Sequence, residues 1–113
     1  MAFSQYLANE ILTWVKGQAF PAALSNVYIS LHSGDPGTAG TSNDQTNSIQ
    51  GSANRTSIAS TAFSTVGAAS GGGFEITNSN AHQMTSSASN GSPITVTHFG
   101  VWDAQTSGNF LAS

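Results

Sequence analysis

Three histidines are the residues of this chain that could act as general bases or zinc ligands near neutral pH. His32, His82 and His98 are far apart in the sequence, and none of them shows the i, i+2 or i, i+4 spacing of common zinc sites. No nucleophile beside a base and no carboxylate pair can be recognised around them. We therefore interpret the histidines as structural, with His98 as a core-strand residue that has a hydrogen-bond partner. No catalytic residue is predicted.

The aspartates and a triple glycine are the remaining candidates for ligand chemistry. Asp35, Asp44 and Asp103 lie in or beside predicted loops and could in principle bind calcium. They lack EF-hand spacing, however, and turn formation explains Asp35 and Asp103. Gly71–Gly73 is followed by neither Lys-Ser/Thr nor a helix, so it does not fit a phosphate-binding loop. The sequence thus predicts a protein that is not an enzyme and has no metal and no cofactor.

Charge excludes two classes of partner. Only 6% of the 113 residues are charged and the net charge is −3, while nearly half of the chain is Ser, Thr, Asn and Gly. Two basic residues, Lys16 and Arg55, cannot neutralise a row of phosphates, so we expect no nucleic-acid partner and no membrane partner. There is no cysteine, no basic-then-apolar leader and no long apolar run, which makes a cytoplasmic origin the default expectation.

The N-terminal segment predicts the only convincing helix, over about residues 4–16. Phe3, Leu7, Ile11 and Trp14 recur at spacings of four, four and three, so they share one face. Ser4 suits the N-cap and Gly17 the position after the helix. This stripe is our candidate interface, and it packs either on the chain's own sheet or on a neighbouring subunit.

The rest of the chain predicts short strands separated by turns. We expect a single domain, residues 1–113, that is mainly β: an antiparallel, jelly-roll-like β-sandwich with one N-terminal amphipathic helix. The pair Asn90-Gly91 suits a hairpin turn. The predicted strands cover about residues 26–32, 55–59, 62–66, 73–77, 94–103 and 109–112, with a long loop at 34–54.

The densest apolar run predicts the core strand. Its phase of alternation changes after His98, which indicates either burial of both faces or a bulge near Gly100. The predicted core-strand residues are Ile94, Val96, His98, Phe99, Val101 and Trp102. In contrast, residues 37–54 contain few apolar side chains, so we expect this segment to be mobile or fixed by a partner.

Three segments resemble a family of short tailed-phage virion structural proteins, described as head-decoration or tail-fibre-like. They are the opening amphipathic helix, the strand Val27–Pro36 that closes on Asp35-Pro36, and the strand Ile94–Ala104 with its Thr-His-Phe-Gly run. Arg55 with the Phe63 strand, and Phe74–Asn78, are similar to the family's middle strands. Residues 81–84 depart from it, because an apolar strand with Phe-Pro is expected there.

The resemblance implies a non-enzymatic virion protein, assembled in the host cytoplasm. The main interpretation is a capsid decoration or cement protein, which binds and stabilises the shell. Its partners would be the major capsid protein and copies of itself, in a trimer. The alternative is a tail-fibre or baseplate receptor-binding protein, in which the 37–54 loop, Tyr28 or Trp102 contacts glycan. A free-standing sugar-binding or hydrolytic domain is a third, weaker hypothesis.

Attachment is expected through apolar and main-chain contact. The two candidate surfaces are the helix stripe and an unpaired sheet edge near Ser113. At that edge, either a neighbouring chain completes the sheet or this chain continues beyond Ser113 with further strands.

Overall fold

Antiparallel strands and one N-terminal helix make up most of the regular structure in the computed structural model, which describes residues 2–87 and 91–113. The predicted turn at Asn90-Gly91 involves Asn90, which lies outside the described residues. In chain order the elements are α1 (Gln5–Val15), β1 (Asn26–His32), α2 (Thr46–Gln50), β2 (Thr56–Ala59), a 3₁₀ turn (Ser60–Ala62), β3 (Gly67–Ala68), β4 (Phe74–Glu75), β5 (His98–Trp102) and β6 (Phe110–Ala112).

A four-stranded sheet with the order β2-β1-β5-β6 organises the chain, and β3 pairs with β4 in a separate ribbon. Strand β1 forms because Val27, Ile29 and Leu31 alternate with residues of the opposite face. Tyr28 lies opposite Trp102, and Ser30 lies opposite Gly100. One face of the sheet therefore carries Ser30, His32, Trp102 and Phe110, and the other carries the aliphatic side chains of β1 with Phe99 and Val101.

The first of these, which we call the covered face, holds the aromatic core of the molecule, while the buried aliphatic residues Ile29, Ile58 and Ala112 lie on the other face. Trp102 and Phe110 are buried with their ring centroids 5.1 Å apart. Gly40 lies directly against them with φ +73°, and a Cβ at this position would overlap the Phe110 ring. Only a glycine can bring the 37–42 backbone this close to the two rings.

The long loop predicted at 34–54 is anchored to the chain and contains α2. The Gln45 amide donates to the Leu31 carbonyl (2.8 Å), and the Leu31 amide donates to Thr46 Oγ1 (3.0 Å). Residues 43–46 thus continue the sheet beside β1 after β2 has ended. The sequence prediction missed this because the anchors are backbone groups and a buried threonine hydroxyl instead of apolar side chains.

Helix α1 has the predicted caps but no packed face. Ser4 Oγ accepts from the Leu7 amide at 3.0 Å, and Gly17 follows the helix with φ +102°. All eleven helix residues are described, and none is buried. The helix is held at its start, where the Ser4 amide donates to the Leu111 carbonyl at 2.8 Å. Residues 2–4 pair with β6, so the sheet edge near Ser113, predicted to be unpaired, is occupied by the chain's own N-terminal segment.

The predicted jelly-roll sandwich is not confirmed, because the two sheets are not closed into one. The predicted strand at 62–66 is replaced by the 3₁₀ turn and a single bridge between Phe63 and Asn78. The predicted strand at 94–103 begins only at His98, because its partner β1 ends at His32 and leaves Ile94–Thr97 without a neighbouring strand. The other predicted strands lie within two residues of their predicted ends, whereas β3 was not predicted.

Most residues of the predicted core strand are not buried in the structure. Trp102 is buried on the covered face, but Val96, His98 and Phe99 are exposed, and Ile94 and Val101 are half-buried. The reason is that Phe99 and Val101 belong to the other face, which we call the open face, because the four-stranded sheet and the β3–β4 ribbon do not join over it. A bulge between Val101 and Trp102 lies close to the predicted one at Gly100.

Truncation of Phe110 tests whether the covered face is the core. Phe110→Ala removes a ring that is 5% exposed, and we expect the free energy of unfolding to fall by about 3 to 5 kcal/mol. Phe74→Ala is the matched control, since this ring is 82% exposed and its loss should change the free energy by less than about 0.5 kcal/mol. Urea unfolding measures both variants, and equal midpoints would place the core elsewhere.

Candidate functional site

A buried hydrogen-bond chain crosses the covered face. Trp102 Nε1 donates to Ser30 Oγ at 2.9 Å, Ser30 Oγ lies 2.7 Å from His32 Nε2, and His32 Nδ1 lies 2.8 Å from the Ser42 carbonyl oxygen. A carbonyl only accepts, so in the neutral ring Nδ1 carries the proton and Nε2 accepts from the Ser30 hydroxyl. Each donor in this chain thus has one acceptor.

The Ser30–His32 pair has the composition of a nucleophile and its base, but not their accessibility. Both side chains are completely buried, and a backbone carbonyl occupies the place of an orienting carboxylate. The pair ties β1 to β5 and to the 37–46 segment. Sequence reasoning missed it, although a Ser and a His two residues apart on a strand must share a face.

Arg55 covers this network from outside. Its guanidinium carbon lies 3.5 Å from the centroid of the Trp102 ring, and Nη1 donates to the carbonyls of Ala104 (2.9 Å) and Ser107 (2.8 Å). Burial lowers the pKa of Arg55 from its ordinary value, while the carboxylates of Asp44 and Asp103 act in the opposite direction. Arg55 therefore joins the start of β2 to the turn between β5 and β6 by a cation–π contact and two charge-assisted hydrogen bonds.

Asp103 has the turn-forming role predicted for it. Its Oδ1 accepts from the Asn109 amide (2.6 Å) and its Oδ2 accepts from Asn109 Nδ2 (2.7 Å). Asp35 and Asp44 act in the same way, accepting from the amides of Gly37 and Thr46. Each of these carboxylates is thus committed to a local turn. Within residues 2–87 and 91–113, no three His, Asp or Glu side chains are grouped so that they could hold a metal ion.

A cavity of about 660 Å³ lies between α1, the 38–41 segment and the β5–β6 turn. Tyr6 lies at its wall, and partial burial, followed by the carboxylates of Glu10 and Asp103, raises the pKa of its phenol. Neutral amide and hydroxyl groups make up most of the polar part of the lining: Gln5, Tyr6, Asn9, Thr38, Thr41, Ser107 and Asn109, with Arg55 as the cation. Apolar surface, to which Ala39, Trp102 and Phe110 contribute, makes up the larger part of the lining.

An apolar groove of about 1010 Å³ runs over the open face of the sheet. Its lining includes Val27, Ile29, Leu31, Phe63, Ile76, Met84, Val96, Phe99 and Val101. His82 and His98 also line it, and both are exposed. His98 has the predicted hydrogen-bond partner, Thr97 Oγ1 at 2.9 Å, but lies on the surface and not in the core. The groove therefore combines buried residues such as Ile29 with residues such as Val96 and Phe99, whose sequence pattern predicts burial but which are exposed.

The predicted interface residues lie apart from both cavities. Leu7 and Ile11 are half-buried on α1, while Phe3 and Trp14 are exposed. Trp14 contacts Phe20 edge to face, with ring centroids 6.3 Å apart. The structure thus brings the predicted core strand and the predicted interface to two separate apolar surfaces.

One family model, described as podophage GP4 fiber I protein gp80, matches residues 2–113. The chain belongs to this family. The protein is therefore a phage structural protein and a virion component, which confirms the resemblance to tailed-phage virion proteins. No curated protein sequence matches the chain. In the described residues of this phage protein, no helix has the length and apolar character required to cross a membrane.

Replacing Arg55 tests its structural role. Arg55→Met keeps the aliphatic stem but removes the cation and both hydrogen bonds to the turn, so we expect a loss of about 1 to 3 kcal/mol in the free energy of unfolding. Arg55→Lys should recover only part of this, because an ammonium cannot stack on Trp102 as a planar guanidinium does. The exposed Lys16→Met is the control. Thermal melting of the three variants measures these changes. An Arg55→Met midpoint equal to that of Lys16→Met would show that Arg55 does not stabilise the fold.

Proposed function

We propose that the protein is a non-enzymatic subunit of a phage tail fibre. The family match over residues 2–113 carries this proposal, because the family is described by a fibre protein. It favours the tail-fibre alternative over the capsid decoration protein that was our main interpretation of the sequence. On this proposal the principal partners are other tail proteins, and the major capsid protein is not one of them.

The structure supports a fibre subunit held by its neighbours more than a direct glycan binder. The glycan-binding hypothesis relies in part on the aromatic side chains of Tyr28 and Trp102, which would have to be accessible. Trp102, one of the two aromatic candidates, is buried and is covered by the guanidinium of Arg55. Tyr28 is half-buried on the same sheet. The large accessible surfaces are instead apolar and suit contact with protein.

A non-enzymatic role is in keeping with the use of the reactive side chains. Ser30 and His32 are buried partners of each other and of the backbone, and the described aspartates act in turns. Every group that could start a reaction on the covered face is thus already bound within the fold. The proposal assigns these groups to stability.

The location on the particle tests the fibre proposal. An epitope tag appended after Ser113 and a gold-labelled antibody should mark purified virions at the tail, with a few tens of copies or fewer by quantitative mass spectrometry. Labelling over the head, with hundreds of copies, would instead support capsid decoration and overturn the proposal. A tagged major capsid protein provides the matched control for antibody access.

Attachment to the virion should resist salt. Two basic and five acidic residues cannot form opposing charged patches, so apolar burial and main-chain hydrogen bonds must supply the binding free energy. We expect most copies to remain on particles between low salt and about 1 M salt, where the screening length is roughly 3 Å. Sedimentation of washed particles followed by immunoblotting measures retention. Release of most copies would show that ion pairs hold the contact.

A further inference from the structure

Helix α1 leaves part of its apolar side exposed. At 3.6 residues per turn, Gln5, Tyr6 and Asn9 fall on the polar half of the helix, and all three line the cavity between α1 and the β5–β6 turn. On the apolar half, Leu7 and Ile11 are half-buried. The other apolar residues, Leu12, Trp14 and Val15, form what we call the outer side and are 69%, 58% and 70% exposed. An amphipathic helix normally buries its apolar side, so the outer side lacks a partner.

The apolar groove is the second unpartnered surface, and its chemistry matches the outer side of α1. Phe99 at its centre is 48% exposed, and no residue that lines the groove in the described part of the chain is formally charged. Seven residues of β1 span about 23 Å and eleven residues of a helix about 16 Å, so α1 is short enough to lie along the strand. An amphipathic helix in an apolar groove is a common mode of recognition.

The exposed area is larger than that of a compact monomer of the same mass. The accessible surface is 7266 Å², whereas a compact monomer of 11.5 kDa exposes about 5800 Å². The radius of gyration is 15.2 Å, against about 13.3 Å expected for this length. The excess of roughly 1,500 Å² is close to two contacts of about 800 Å² per subunit, the area of a standard interface.

We propose that the apolar groove of one copy receives the outer side of α1 from a second copy. The two surfaces are different, so the contact is head-to-tail, and each copy makes it twice, once through its helix and once through its groove. Head-to-tail contacts close into a ring, of which a trimer is one, when the rotation between subunits closes, and otherwise continue as a filament. The proposal concerns the contact between subunits and holds whether the assembly sits on the tail or on the head.

Mass measurements on the full chain test the contact. Light scattering after gel filtration should give a multiple of 11.5 kDa for the parent protein. Leu12→Gln/Val15→Gln on the helix and Val96→Thr/Phe99→Thr in the groove should each weaken association by about 100-fold or more, and yield monomers. Val66→Thr/Phe74→Thr, at exposed apolar residues outside the groove, should keep the parent mass. Circular dichroism verifies that each variant is folded.

Mixing the two interface variants decides which surfaces meet. The helix variant keeps its groove and the groove variant keeps its helix, so an equal mixture should form dimers that cannot close into a ring. A helix variant that keeps the parent mass would mean that grooves bind grooves, and would overturn the proposal. A parent protein that is monomeric at millimolar concentration would also overturn it, and would assign the groove to a different protein.

A cross-link makes the test independent of variant stability. The chain has no cysteine, so Val15→Cys and Phe99→Cys introduce single thiols at exposed positions of the helix and the groove. A short bis-maleimide should join a mixture of the two into a covalent dimer in high yield. Val15→Cys mixed with Phe74→Cys is the control, and equal yields in the two mixtures would contradict the contact.

Discussion

The hydroxyl of Ser30 is the constraint on which the covered face depends. It accepts from Trp102 Nε1 and lies at hydrogen-bond distance from His32, so it lets an indole and an imidazole be buried side by side without an unpaired polar atom. Gly100 lies opposite, and a Cβ there would come within 2.5 Å of the same hydroxyl. The burial of Trp102 then provides the surface on which Phe110, Gly40 and Arg55 pack. The buried hydrogen bonds of Ser30, His32 and Trp102 thus organise a chain that has few buried apolar residues. They favour one pairing of β1 with β5, because a shift of this pairing would leave a buried donor without an acceptor.

This arrangement covers one face of the four-stranded sheet and leaves the other partly exposed. The 37–46 segment, held by backbone hydrogen bonds and Thr46, covers the face of Ser30 and Trp102. The opposite face carries more apolar side chains, and Ile29, Ile58 and Ala112 among them are buried. The β3–β4 ribbon is a separate sheet, however, and does not join the four-stranded sheet over this face. Apolar residues such as Phe99 therefore stay exposed on it.

The sequence predicts those parts of the fold in which side chains decide the structure. The alternation of Val27, Ile29 and Leu31 and the spacing of Leu7, Ile11 and Trp14 lead to β1 and α1, because periodicity reports which side chains share a face. The same periodicity cannot say whether a shared face has a partner. It therefore marks Val96 and Phe99 as core, although both lie in the groove. The anchoring of 34–54 escapes prediction for another reason: Gly40 and Thr46 act through close approach and a single hydroxyl, which leave no periodic signal.

Most of the charged residues have a structural role within the fold. Arg55 is bound to the turn at 104–107, and three aspartates each accept a local amide. Among the charged side chains of the described residues, Glu10, Lys16 and Glu75 have no such role, and three isolated charges cannot steer a partner over a distance. At the β6 edge, pairing with residues 2–4 further prevents unspecific strand addition. The chain thus blocks two common routes of association, charge and β6 edge pairing, and leaves accessible the outer side of α1 and the apolar groove.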